Sequence, residues 1–197
     1  MGICGNEKRI RFDVLPSPEV SGAEVSVMFM EGTTGGFIAR IYDWLNSKKV
    51  LGVYKNTELG WEVEYTKGSV RSIIKHRAKI GKIALLGAVP ELIRDGIYLE
   101  TVPDSGKKQL SHMFAAKAVI DRILYAVCFV VREDHNGRRY YDHSLTKTET
   151  LARIDGQALR IADGKSERLP PIIVIGPDAN PIGKVRTADI LKKHLMA

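Results

Sequence analysis

From Ile97 onward the apolar residues of this chain fall into period two. IYLETV, MFAAKAVI, ILYAVCFVV and RRYYDHSLT are separated by PDSGKK, DR and EDHNG. Successive side chains of a strand point to opposite faces, so this alternation predicts half-buried strands. Short polar connectors between such runs predict antiparallel neighbours. Asn136-Gly137 is a hairpin signal, because both residues tolerate positive φ. Asp121-Arg122 is a less typical two-residue turn. The expectation is a meander of four antiparallel strands.

The residues ahead of the meander read differently. GGFIARIYDWLNSKK places Phe37, Ile41, Trp44 and Leu45 near helical spacing, which predicts an amphipathic helix over 36–48. VLGVYKNTELGWEVEYT predicts a β-hairpin, with Trp61, Val63 and Tyr65 alternating after the NTELG turn. Residues 68–77 read as a helix with Ser69 as N-cap. IALLGAVPELIRDG reads as a second, buried helix, kinked or restarted at Pro90 and capped by Gly96. Helices followed by a meander imply an α+β fold, with N-terminal helices packed on a four-stranded antiparallel sheet that the hairpin precedes. The expected organisation is an irregular N-terminal arm over 1–33, in which AEVSVMFM is a short strand, an α+β core over 34–150, and a C-terminal extension over 151–197 packed on that core. In the extension, LPPIIVIGPDANPIG is bounded by prolines and reads as an edge strand or packed segment. VRTADILKKHL reads as a terminal helix.

With 197 residues, the chain is long enough for one such core and a tail. No run reaches the roughly 18 apolar residues of a membrane span. MGICGNEKRIRFD has no apolar stretch of the secretory kind, and Asn6 stands where an acylation pattern wants Ser or Thr. The expected place of action is the cytoplasm, reached either directly or by delivery from elsewhere. Two cysteines, Cys4 and Cys128, exclude a disulfide framework. The five histidines show no metal-ligand spacing, so no metal or other cofactor is expected.

The net charge of +7 is unevenly spread. Residues 1–66 carry 7 Lys+Arg against 9 Asp+Glu, residues 67–147 carry 15 against 8, and residues 148–197 carry 8 against 6. A basic excess in the middle of the chain suits a phosphate-bearing partner, and equally a soluble basic surface. It is densest in RSIIKHRAKIGK, residues 71–82. There Ser72, Lys75, His76 and Lys79 are three or four residues apart and share a helix face, with Arg77 close by. Either this is a solvated basic face or it holds a phosphate. The second candidate place is RRYYDHSLT. Arg139, Tyr141 and His143 share one strand face, and Arg138, Ser144 and Thr146 share the other. Either this is an outer strand with a half-polar face, or tyrosine and arginine there stack a base and grip a phosphate. Metal-independent RNA cleavage needs a group that takes the ribose 2′-hydroxyl proton, one that protonates the departing 5′-oxygen, and cations on the phosphate. His112, at a strand entry, reads as structural or exposed; His135, in a turn, and His194, in the terminal helix, receive no role. Trp44 and Trp61 read as core anchors.

Three blocks, GVYKNTELGWEVEYTKGSVRSIIKH, KIALLGAVPELIRDGIYLETV and YAVCFVVREDHNGRRYYDHSLT, together resemble the phage-borne, large-polyvalent-protein-associated members of the barnase–EndoU–colicin–RelE-like nuclease superfamily. The likeness covers residues 50–148. It implies helices on a four-stranded antiparallel sheet and a metal-independent ribonuclease, often a toxin or effector. Residue by residue it implies roles for His76, Lys82, His143 and Thr146. The chain departs from the pattern at Ser72, where relatives carry a second histidine, and at Arg77, where they carry glycine.

The expected function is therefore ribonuclease chemistry. His76 and His143 are the acid–base pair, Lys82 stabilises the transition state, and Thr146 and Ser72 assist. Lys75, Arg77, Lys79, Arg138, Arg139 and Tyr141 hold RNA, with tRNA among the targets and a cognate inhibitor protein as a further partner. The alternatives are a non-catalytic module binding nucleic acid or protein, and a structural piece of a phage or mobile-element assembly.

Overall fold

The computed structural model describes Lys8, Arg11, Phe12 and residues 14–30, 34–75, 80–103, 109–142, 145–149 and 173–177, the last two segments by backbone only. At its centre are two long strands, β5 (Leu110–Ile120) and β6 (Ile123–Glu133), paired antiparallel over eleven positions from Leu110↔Glu133 to Ile120↔Ile123. Asp121 and Arg122 make the connecting turn with φ of 50° and 67°. Two positive φ values match the twist of a hairpin, although neither residue is glycine. Asp121 is tied down at the same time: its backbone N–H donates to the Val20 carbonyl (3.2 Å), and its Oδ1 accepts the Gly22 N–H (2.8 Å).

Other strands add to both sides of this ribbon. β4 (Ile97–Pro103) pairs with β5 antiparallel, with a bulge between Tyr98 and Glu100, and β7 (Arg139–Asp142) pairs with the far end of β6. The expected meander β4–β7 is thus present, but it does not make up the sheet. β1 (Glu19–Val20) joins β5 in parallel, and β3 (Glu62–Tyr65) joins β7 in parallel at Glu64↔Tyr140. β3 brings with it its hairpin partner β2 (Gly52–Lys55). β8 (Leu145–Glu149) pairs with β9 (Ile173–Pro177), and β9 runs parallel to β6. The α+β expectation of a four-stranded antiparallel sheet is therefore wrong. The sheet is mixed, its seven strands up to Asp142 forming a curled half-barrel. Periodicity reveals that a segment is a strand, but the parallel partners lie tens of residues away and leave no local mark.

Helices cover one face. α1 (Gly22–Met30), α2 (Thr34–Ser47), α3 (Lys67–Lys75), α4 (Ile80–Ala84), a 3₁₀ turn (Leu85–Ala88) and α5 (Val89–Asp95) follow in order. Val25, Ile41, Leu45, Val70, Ile73, Leu86 and Leu92 meet Phe114, Ala116, Val127, Phe129 and Tyr141 of the sheet in the main core. AEVSVMFM, expected as a strand within an irregular arm, is helix α1, and its Val25 is fully buried. A short apolar run does not distinguish the two by period. α3 begins after Thr66, whose Oγ1 accepts the Ser69 N–H (3.4 Å), so the cap lies three residues before the expected Ser69. Pro90 restarts the helix after the 3₁₀ turn. Gly96 ends α5 without a left-handed φ. Glycine is needed there because a Cβ would lie 2.6 Å from the Leu92 carbonyl and 2.7 Å from the Phe129 ring.

The opposite face carries a smaller cluster of Ile97, Leu99, Met113, Ala115, Cys128 and Val130, covered by Phe12 and Leu15. Cys128 is fully buried and its thiol is pushed up to about 12, so it is an inert core residue. Of the expected extension over 151–197, only β9 belongs to the described residues; the proposed terminal helix lies outside them.

One buried side chain joins the hairpin to the helices. Asn56, 1% exposed, donates from Nδ2 to the carbonyls of Ile93 and Gly96 (both 2.8 Å) and accepts the Leu59 N–H at Oδ1 (2.9 Å). It thereby satisfies carbonyls at the C-terminal end of α5 that have no helical partner. Asn56→Ala is expected to cost about 3 kcal/mol in urea unfolding, since it strands two buried acceptors and one donor. Arg122→Gly is expected to stabilise by about 1 kcal/mol in the same measurement, by relieving a side chain held at positive φ.

Candidate functional site

The sheet register assembles a polar group at one end of the helix-covered face. Thr101 of β4 stands opposite His112 of β5, which stands opposite Val131 of β6, which stands opposite Tyr141 of β7. Glu133 lies two residues beyond Val131 on the same face of β6, and its cross-strand partner on β7 is Arg139. Four strands thus bring a hydroxyl, an imidazole, a carboxylate and a guanidinium together.

His112 is the centre. It is 3% exposed, yet both ring nitrogens have polar partners. Nδ1 lies 2.7 Å from Thr101 Oγ1, and Nε2 lies 3.3 Å from Glu133 Oε2. Thr101 Oγ1 is also 2.9 Å from the Tyr98 hydroxyl. Burial pushes His112 below the ordinary imidazole value; the charge and hydrogen bond of Glu133 pull it back up, and nearby Arg139 lowers it further. The ring is held neutral, the state in which it can take a proton.

Trp61, just ahead of β3, roofs the group. Its ring meets His112 edge-on with centroids 4.8 Å apart, and the Arg139 guanidinium carbon lies 4.2 Å from its centroid. Arg139 Nε is 2.6 Å from Glu133 Oε2, an ion pair by distance whose N–H does not point along a hydrogen bond. Glu58, in the same turn as Asn56, accepts the Tyr98 N–H at the β4 bulge (2.6 Å) and pairs with Arg11 (2.7 Å). Asn56 therefore positions Trp61 and Glu58 as well as the helix end.

The residues expected from sequence fall elsewhere or only partly here. Arg139 is in the site. Arg138 is exposed next door and engages both carboxylate oxygens of Glu64, which that hydrogen bonding holds below its ordinary value. Tyr141 is 0% exposed, packed on Tyr65 and Phe129, so it is a core side chain and not a stacking surface. Lys82 is buried in α4 at 4% exposure, and Ser72 is partly buried in α3. Lys75 ends α3 and Thr146 lies in β8, both described by backbone only. His76, Arg77, Lys79 and His143 lie outside the described residues. Trp61 packs against the core as expected, and Trp44 does so too.

His112, expected as structural or exposed, is buried, and its place at the centre of a polar group is what the sequence did not give. Its signal was its parity: it alternates in phase with Phe114, Ala116 and Ala118, the buried face of β5. A titratable side chain on a buried face must have partners.

Among the described residues, no group of three or more His, Cys, Asp or Glu is placed to hold a metal ion. No helix of the described residues is long and apolar enough to cross a membrane. A cavity of about 460 Å³ lies apart from the His112 group, lined by Glu24, Trp44, Lys48, Glu91, Asp121 and Arg122, and its mixed charges do not suit a phosphate.

A mixed sheet carrying helices on one face and a buried imidazole at its end defines an α+β domain with a polar site on the sheet. Residues 39–141 match the family described as Large polyvalent protein-associated domain 3, and the chain belongs to that family. No curated protein and no solved structure matches the chain.

The depressed His112 pKa has a consequence for stability. Unfolded, the ring takes a proton near 6.5; folded, it resists until a lower pH. Between those values the unfolded chain binds more protons, so acid favours unfolding. The contribution is full above about 6.5 and is lost as pH falls through the folded value. Urea melts from pH 8 down to 5 are expected to show stability falling with acid in the native protein, and a flatter profile in His112→Gln.

Proposed function

We propose that this domain is a metal-independent ribonuclease that converts an internal RNA phosphodiester to a 2′,3′-cyclic phosphate and a free 5′-hydroxyl. The observation that carries the reading is the line Glu133, His112, Thr101 on the sheet face, with Arg139 beside it. Such cleavage needs a proton acceptor poised near neutrality, and His112 is a neutral imidazole backed by a carboxylate. It needs a cation where charge builds up on the phosphate, and Arg139 is a planar donor held in place by Trp61 and Glu133. Tyr98 and Trp61 put aromatic surface beside these groups, which suits an unstacked base. The basic middle of the chain supports an RNA partner, and the resemblance to the nuclease superfamily points the same way. His76 and His143 are the candidates for the acid that protonates the departing 5′-oxygen.

The test is incubation of the full chain with total RNA and with defined tRNAs, in the presence of a chelator, followed by end mapping. Cleavage with cyclic phosphate ends is expected. His112→Gln and Arg139→Ala are each expected to slow it by roughly 10²-fold or more. A His76→Ala/His143→Ala protein reports whether the acid comes from that pair. RNA left intact by the wild-type chain sinks the reading. Salt-sensitive binding without cleavage would instead favour a non-catalytic nucleic-acid-binding module.

A further inference from the structure

The geometry leaves no bare ring nitrogen on His112 for a substrate to touch. Nε2 faces Glu133 and Nδ1 faces Thr101, and the ring itself is buried, whereas Thr101 is exposed. The donor directions along this line can be worked out. A carboxylate only accepts, so Nε2 carries the ring proton and donates it to Glu133. A neutral imidazole has one N–H, so Nδ1 accepts, and Thr101 Oγ1–H must be the donor to it. Thr101 has then spent its proton, so the Tyr98 hydroxyl donates to Thr101 Oγ1. Every hydrogen bond points inward, from the solvent side toward Glu133.

We infer that Thr101 is the catalytic residue that meets the substrate hydroxyl, and that it relays the proton to His112 behind it. The inference rests on the ribonuclease reading above and specifies its site. The ribose 2′-hydroxyl takes the place of the Tyr98 hydroxyl as donor to Thr101 Oγ1. As the 2′-oxygen forms its bond to phosphorus, its proton passes to Thr101 Oγ1, and the proton of Thr101 passes to His112 Nδ1. The bond from phosphorus to the 5′-oxygen breaks, and that oxygen takes a proton from the acid to leave as a hydroxyl. His112, now an imidazolium beside Glu133, returns its proton to solvent, which also reprotonates the acid. Glu133 is a positioning residue: it fixes the Nε2–H tautomer and so leaves Nδ1 free to accept.

The experiment compares wild type, Thr101→Val, Thr101→Ser, His112→Gln and the Thr101→Val/His112→Gln pair on one defined tRNA. Valine keeps the shape of threonine and its preference for strands, so the fold is retained. Thr101→Val is expected to lose roughly 10²-fold in rate or more, Thr101→Ser to recover most of it, and the double variant to be no slower than the worse single one. Cleavage by Thr101→Val at the wild-type rate, while His112→Gln is inactive, overturns the relay and leaves the ribonuclease reading standing. Losses that multiply in the double variant overturn it as well. A wild-type chain that cuts no RNA overturns both. A readout independent of cleavage is ¹⁵N NMR of the His112 ring in the full chain near neutral pH. A protonated Nε2 and an unprotonated Nδ1 are expected; a proton on Nδ1 overturns the relay whatever the RNA assay shows.

Discussion

The pairing register of β5 on β6 is the constraint on which the rest depends. Eleven consecutive pairs run from the Asp121-Arg122 turn to Leu110↔Glu133, and every other strand of the sheet attaches to this ribbon directly or through β7 or β9. A slip of one residue would send either Phe114, if β5 moved, or Phe129 and Val131, if β6 moved, out of the main core. It would also move His112 away from Val131, and with it away from Glu133. The core and the candidate site are thus set by the same ladder, and the hydrophobic residues that hold the register also hold the imidazole in place.

Burial of His112 ties that register to a polar group. An imidazole on an apolar sheet face is costly unless its nitrogens are satisfied. Thr101 and Glu133 do this from the two neighbouring strands, and Trp61 closes the remaining side. The partners that make the buried ring tolerable are also those that make it a neutral, oriented proton acceptor. Asn56 reinforces the arrangement from outside the sheet, because its two Nδ2 hydrogen bonds anchor the turn that carries Glu58 and Trp61 to the end of α5, while its Oδ1 holds the turn itself.

Much of the local structure was legible. The meander β4–β7, the hairpin β2–β3, the amphipathic α2 and the restart at Pro90 each follow from period, turn residues or proline chemistry. α1 was not, since an apolar stretch as short as AEVSVMFM fits either period. The strand pattern singles out Arg139, and the structure places it beside Glu133 and Trp61. Tyr141 was named from the same pattern, and its place on that strand is what buries it: its partner across the sheet is Val131, inside the core, whereas Arg139 sits at the rim.

By itself, then, the sequence determined most of the strands and helices, α1 excepted, where the chain turns, and that its basic charge gathers in residues 67–147. These are local or summed properties, written in the spacing of side chains. Only the tertiary structure decided that β1, β3 and β9 enter the sheet in parallel, making it mixed. It also decided that Thr101, His112, Glu133 and Arg139 meet. Those four residues lie on four successive strands, with 38 residues of separation between Thr101 and Arg139, and nothing in their spacing marks them as neighbours. Contact across a sheet depends on which strands pair and in what register, and that is settled by the packing of the whole core.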